Sequence, residues 1–269
     1  MVFLLLFLLW QAPAVPWDTE VREKPTEWRD NGFAFCNLMY TKVRSEPSGS
    51  GWNTDFPLAD RNLGIRFAEV TTAHVAGVKR DGTGEPAHWV VDINNPYDDS
   101  LFTCPFIMTA DVGTMGLTPI AATRLREYLL KGGFLWVDDF WGEAAWRQWQ
   151  TQMNMVFPPE LGGFEAYPIV DIPDDHFIFS IFASTQKIQV PNIGFWKGTG
   201  GDTSERREES EHVNYRMIQN DNGHIMVLMT HNTDIGDTFE QESDPAFFLA
   251  FVMDGYRFGV NVLVYVMSH

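Results

Sequence analysis

The sequence predicts an α/β domain built on a mainly parallel sheet. Three observations carry the prediction. Short apolar runs alternate with stretches of helical periodicity, which is the pattern of strand–helix–strand crossovers. The runs are continuously apolar, as in strands covered on both faces. Capping and turn residues fall where one pattern gives way to the next. In chain order, residues 33–40 read as the first strand. Asp55 then caps a helix over 56–71, with Ala59, Leu63, Phe67 and Val70 on one face. Residues 88–93 (HWVVDI) form a second strand and 105–109 (PFIMT) a third. Thr118 caps and Pro119 opens a helix whose Ala121, Leu125, Tyr128 and Leu129 share a face, and Gly132-Gly133 ends it. Residues 134–137 (FLWV) are the fourth strand. Residues 143–155 are a helix with Ala145, Trp149 and Met153 four apart. Beyond Pro158-Pro159 the pattern turns irregular, and 197–212 reads as an exposed loop. Asn220-Asp221-Asn222-Gly223 between two strand-like runs signals a late β-hairpin. Residues 259–267 (GVNVLVYVM) admit two readings: a strand from their β-branched content, or a closing helix from their position.

The chain has 269 residues, with 19 basic and 36 acidic side chains and a net charge of −17. Its 45% hydrophobic and 20% charged residues are a globular composition, not a disordered one. The charge excludes a general nucleic-acid binder, which needs clustered Lys and Arg. The expected partners are a polar small molecule or an envelope protein. Residues 2–10 (VFLLLFLLW) are apolar and uncharged, too short to span a membrane but the length of a signal-peptide core, and Ala12-Pro13-Ala14 supplies a cleavage pattern. The expected organisation is a signal peptide over 1–14, an N-terminal arm over 15–31 and one α/β domain over 32–269. The destination is then secreted, periplasmic or envelope-associated, with no membrane span in the mature chain. The two cysteines, Cys36 and Cys104, form no C-x-x-C. Export permits a disulfide between them. Their place in apparent core strands favours two buried thiols.

Familiar catalytic motifs are missing. Gly82-Thr83-Gly84-Glu85-Pro86-Ala87 mimics a dinucleotide fingerprint but precedes a strand, so it cannot cradle a pyrophosphate, and no nucleotide cofactor is expected. There is no Walker A sequence, G-x-S-x-G or H-E-x-x-H. Neither cysteine sits at a nucleophile elbow.

What remains lies after the strands, where open parallel sheets bind ligands. Asp138-Asp139 is the sharpest feature: adjacent carboxylates at a strand end can hold a hard cation through oxygen, or divide acid and base roles. The structural alternative has Asp139 capping the next helix and Asp138 binding loop amides. Trp52, Asn53, Asp111 and Trp141 join them as ligand-binding candidates, and Trp141 can stack a planar ligand. His231 is a candidate acid–base group or metal ligand, against the plainer role of a hydrogen-bonded loop residue. Trp149 reads as core. Asp174-Asp175-His176 reads as a solvated turn, and the acidic stretch 234–244 as solvated surface.

The run Gly132-Gly133-Phe134-Leu135-Trp136-Val137-Asp138-Asp139 resembles the signature of a bacterial family, domain of unknown function 4159. Phe33-Ala34-Phe35 leading to Gly51-Trp52-Asn53, residues 173–179 (PDDHFIF) and residues 256–262 (YRFGVNV) are similar to further family segments. The resemblance implies a three-layer sandwich, flavodoxin-like or like class I glutamine amidotransferases and trehalose-utilisation-like proteins, with export or envelope association. It brings no activity. Where relatives often carry G-H-G after the third strand, this chain has Ala110-Asp111-Val112-Gly113, and Phe177 replaces a proline. The amidotransferase nucleophile is absent, so glutaminase chemistry is not implied.

The function expected from the residues is binding of a polar ligand or divalent cation in an acidic strand-end crevice, with Asp138 and Asp139 as metal candidates. Two rivals stand beside it. One is a carbohydrate- or cell-wall-directed hydrolase using Asp138 or Asp139 with His231, and the other is a structural scaffold.

Overall fold

The computed structural model describes residues 32–47, 49–79 and 81–269. The expected signal peptide and arm lie outside the described residues. Nine strands are described: β1 (Phe35–Met39), β2 (Thr41–Lys42), β3 (His88–Asp92), β4 (Phe106–Ala110), β5 (Met115–Gly116), β6 (Phe134–Phe140), β7 (Val170–Asp171), β8 (Asn214–Gln219) and β9 (Ile225–His231). Seven of them make one sheet in the order β3-β1-β4-β6-β9-β8-β7. The neighbours from β3 to β9 run parallel. The expected hairpin adds β8 antiparallel to β9, and β7 completes that edge. β2 and β5 form a separate antiparallel pair.

Helices cover both faces. α1 (Leu58–Val70) buries Ala59, Leu63 and Phe67 on one face, while Val70 at its end is exposed. α2 (Pro119–Leu130) and α3 (Gly142–Val156) cover the other face, packing Leu125, Leu129, Trp149 and Met153 against Leu135 and Val137. Thr118 caps α2 as expected, its side chain accepting the Ala121 N–H. On the α1 face lies the final helix, α6 (Met253–Ser268), which resolves the 259–267 ambiguity in favour of helix. Its Phe258, Val262, Leu263 and Tyr265 are buried, so packing overrides the β-branched preference. The helical stretch Pro245–Ser268 is long and apolar enough to cross a membrane, and half of its most apolar window is buried within the fold.

Three expectations change. Asp55 does not cap α1: the N-cap is Pro57, joined by a cis peptide to Phe56, with no side-chain cap bond. Cys36 and Cys104 are not separate thiols but a disulfide closing a 68-residue separation. Cys104 lies just before β4, not in it, and Trp89 Nε1 donates to its sulfur at 2.9 Å. The stretch 197–212 is not simply an exposed loop. It holds the end of α4 (Ile193–Thr199) and a helical turn at Arg207–Ser210, and Ser210 is fully buried.

Candidate functional site: a buried acidic crevice

The carboxyl ends of β4, β6 and β9, with the segment after β2, converge on one crevice. Asp111 follows β4. Asp138 and Asp139 lie inside β6, which runs on to Phe140 through a bulge after Val137. The chain after β9 brings Asn232 and Asp234, then Asp237 on α5 (Ile235–Glu240). Asp55 arrives from the turn before α1. Five non-glycine residues have positive φ among the described residues, and four are here: Asp55 (65°), Asp111 (51°), Asp139 (50°) and Asn232 (64°). Asp and Asn tolerate this region best, yet each still costs on the order of 1 kcal/mol.

The bulge sends the paired acids of β6 to different environments. Asp138 is fully buried and fully bonded: Thr230 Oγ1 donates to Oδ1, and the Gly236 N–H donates to Oδ2 at 2.8 Å. Trp136 Nε1 in turn donates to Thr230 Oγ1 at 2.8 Å. Burial raises the Asp138 pKa to about 7. Asp138 thus fulfils the amide-binding alternative and does not face the crevice. Asp139 does face it. Trp141 Nε1 donates to Asp139 Oδ1 at 2.9 Å, and Asp139 caps no helix, since α3 has no side-chain cap. Its pKa is pushed well up by burial, then by the charges of Asp55, Glu205 and Asp111.

A small cavity opens beside Asp139, lined by Glu46, Asp111, Glu205, Arg206, Asp234 and Trp141 among others. Its volume is about 10 Å³, room for one water-sized occupant and not for a sugar. Asp111 Oδ2 accepts the Gly51 N–H at 2.9 Å, and burial with the Glu46 charge raises its pKa to about 7. Gly49 is required here, because a Cβ would sit 2.3 Å from Asp111 Oδ2. Tyr40 braces the β4 end, donating toward the carbonyls of Ala110 (2.9 Å) and Asp111 (2.7 Å).

Next to the cavity, and sharing Asp234 with it, one ligand oxygen each from Asp55, Asp234 and Asp237 lie within 4.8 Å of one another. Asp234 accepts the Asp237 N–H at 2.9 Å through Oδ1, and Asp237 accepts the Ile193 N–H at 2.7 Å through Oδ2. Gly236 makes room for the third acid: a Cβ there would lie 2.2 Å from Asp55 Oδ2. Burial comes first in raising all three pKa values. Repulsion from neighbouring carboxylates adds to each, chiefly from Asp237 on Asp55, Asp139 on Asp234 and Glu240 on Asp237. The solvated surface expected over 234–244 does not include Asp234 and Asp237, which are each only 1% exposed. The acidic stretch carries no apolar periodicity over six residues, and the inward turn is set by capping: Asp234 is the N-cap of α5.

Of the other sequence candidates, Trp52, Asn53 and His231 do not line the crevice. Trp52 is buried in the core with its ring 5.6 Å from Phe56, and Asn53 sits half-buried in the same turn, outside the cavity lining. Trp141 lines the cavity edge but spends its N–H on Asp139. His231 points to the opposite face of the sheet from Asp138. Thr230 bonds Asp138, and the next residue on a strand faces the other way. The His231 ring packs on Phe140 and Trp146, with Nε2 3.2 Å from the Gly142 carbonyl, and burial lowers its pKa to about 4. His231 is the hydrogen-bonded packing residue of the plainer reading. Asp174 and Asp175 form the solvated turn expected of them.

The donor set can therefore hold a hard cation. It offers only oxygen, with no His or Cys, which suits Ca²⁺, Mg²⁺ or Mn²⁺ over zinc or copper. Oxygens about 2.4 Å from a shared ion stand at most about 4.8 Å apart, which the Asp55, Asp234 and Asp237 trio satisfies. No curated protein matches the chain. A family model does, over residues 37–267. The chain belongs to that family, described as a domain of unknown function (DUF4159).

Proposed function

We propose that this protein binds a divalent cation through Asp55, Asp234 and Asp237, in an extracytoplasmic setting, with the neighbouring acidic cavity admitting a small polar group such as a water on the ion. The observation that carries this is the convergence of the three carboxylates on one point while burial and mutual repulsion penalise their charge. A dication removes that penalty, and a sugar does not. Among the residues lining the adjoining cavity, Arg206 is the one basic side chain beside five acids. The cell-envelope setting draws on the buried disulfide, which persists in oxidising compartments, and on the apolar N-terminal run.

We also infer kinship with flavodoxin-like and class I amidotransferase-like sandwiches. Numbered along the chain, the parallel strands run 2-1-3-4-5 across the sheet, which is the flavodoxin order. The crevice lies beyond the carboxyl ends of those strands, where such folds place their ligands. The hydrolase reading needs His231 near Asp138 or Asp139; His231 instead packs on Phe140 and Trp146 beside the Gly142 carbonyl, and the charge acting on it is that of Arg216, not of either carboxylate.

Thermal unfolding of the purified protein at pH 7.5, after EDTA treatment, tests the proposal with CaCl₂, MgCl₂, MnCl₂ and a panel of sugars. A rise in Tm with at least one dication, lost in Asp234→Asn and absent with sugars, is the expected result. No shift with any dication, or an equal shift in Asp234→Asn, contradicts it.

A further inference from the structure

The cavity already has a cation of its own. Arg206 reaches it from the segment before β8, a stretch whose charges look like solvated surface in sequence. Its guanidinium bridges the two rims: Nη2 donates to the Pro47 carbonyl at 2.8 Å, and Nη1 lies 3.4 Å from both the carbonyl and Oε2 of Glu205. Glu205 is itself held inward, its side chain 2% exposed and its Oε1 accepting the Asn192 N–H at 2.7 Å. The Arg206 charge acts favourably on Glu46, Asp111 and Glu205. Arg44 shares the task at the rim, pairing with Glu46 and donating to the Gly113 carbonyl, and Lys42 acts on Asp111; Arg206 is the basic side chain that lines the cavity itself.

The segment carrying Arg206 is held on its own side by a set of side-chain bonds, among them Thr203 Oγ1 donating to Gln189 Oε1 at 2.8 Å. The Arg206 N–H donates to Ser210 Oγ at 2.8 Å, and Ser204 Oγ meets the same hydroxyl at 2.8 Å. Asn232 Nδ2 donates to the His212 carbonyl, and Gln189 Nε2 to that of Ser210. Across the gap to the β2 side, the Arg206–Pro47 bond is the hydrogen bond described between the rims. Arg206 is a strap as well as a counter-ion.

We infer that Arg206 is a resident counter-cation of the cavity and sets its selectivity, so that a dication entering beside Asp234, the residue the cavity shares with the trio, competes with the guanidinium for the cavity carboxylates and loosens the strap. The inference rests on the cation reading above and adds to it a residue, a selectivity and a movement. A monovalent ion brings no more charge than the guanidinium it would replace and forms none of its directed bonds. A dication brings twice the charge to carboxylates fixed in place. Arg206 thus admits Ca²⁺ and holds out Na⁺ and K⁺. Once displaced, it no longer ties the Pro47 rim to the Glu205 rim.

The test is titration calorimetry of the whole protein with CaCl₂ in wild type, Arg206→Gln and Arg206→Lys, at low and at high KCl. It is paired with timed trypsin cleavage of the wild type at Arg206 and Arg207. Removing the charge is expected to tighten Ca²⁺ binding about tenfold and make it more sensitive to KCl, while Arg206→Lys stays within about threefold of wild type. Ca²⁺ is expected to speed cleavage at this segment while protecting the rest of the chain. Equal Ca²⁺ affinity in wild type and Arg206→Gln, or cleavage slowed by Ca²⁺, makes Arg206 a fixed strut and overturns the inference alone. Absence of Ca²⁺ binding in every variant overturns the cation reading and this inference with it. The cleavage measurement needs no substitution, so a variant that fails to fold leaves the test intact.

Discussion

Replacing Asp111 with asparagine should stabilise this protein, and should do so only at neutral and higher pH. Asp111 is 1% exposed, and its folded pKa is about 7, against about 3.9 in an unfolded chain. A raised folded pKa means that the native state holds its proton more tightly. The stability this gives is complete below pH 3.9 and is lost as pH rises through 7. Each pKa unit corresponds to about 1.36 kcal/mol, so ionising this carboxyl costs the folded state about 4 kcal/mol by pH 8. The amide of the Asp111→Asn variant keeps an oxygen for the Gly51 N–H and never ionises. Relative to wild type, the variant should be near neutral at pH 4 and about 4 kcal/mol more stable at pH 8. For a domain of this size that is a rise in Tm of about 10 °C. Urea unfolding in EDTA at the two pH values measures it. A variant destabilised equally at both would refute the idea that buried, unbalanced charge is what the crevice stores.

Further outcomes follow from other parts of the fold. Breaking the Cys36–Cys104 bond by Cys104→Ala should lower stability by about 4 kcal/mol on the chain-entropy scale for its 68-residue separation, read by urea unfolding against untreated wild type. His231 has a folded pKa of about 4, below its unfolded value of about 6.5, so its contribution is present above pH 6.5 and lost as pH falls through 4. Denaturation between pH 7.5 and pH 4 should therefore cost wild type about 3 kcal/mol more than His231→Phe, which keeps the ring on Phe140 and Trp146. Gly255→Ala should destabilise by about 1–3 kcal/mol, although helix propensity alone favours alanine, because the new Cβ would lie 2.0 Å from Thr238 Oγ1 where α6 packs on α5. Calorimetric melting decides the sign.

The parts of the fold that obey local rules are legible in the sequence. Thr118 and Pro119 start α2 where capping chemistry says they should, Asn220 to Gly223 turn the hairpin, and the apolar runs form the central strands. The location of the crevice is legible too, since Asp111 and Asp139 stand at the ends of β4 and β6. What stays hidden depends on direction. Asp138 and Asp139 look equivalent in sequence, and a bulge gives one to the core and the other to the cavity. Asp55 reads as a cap because it precedes a helical pattern, yet its left-handed backbone accompanies a side chain that meets Asp234 and Asp237. Asp234 and Asp237 sit in an acidic run with the composition of surface. Only the packing of α5 against the sheet makes them interior, and no pattern of that length encodes it. The disulfide partners are 68 residues apart, and their proximity depends on β1 and β4 lying side by side.

The proposed cation occupies one point in space between Asp55, Asp234 and Asp237. A crystal structure of the full chain grown with MnCl₂, with diffraction recorded for the anomalous signal of manganese, interrogates that point directly. A strong anomalous peak within about 2.5 Å of an oxygen from each of the three carboxylates is the predicted result. Density showing those side chains turned away from one another, with no anomalous peak among them, would contradict the account.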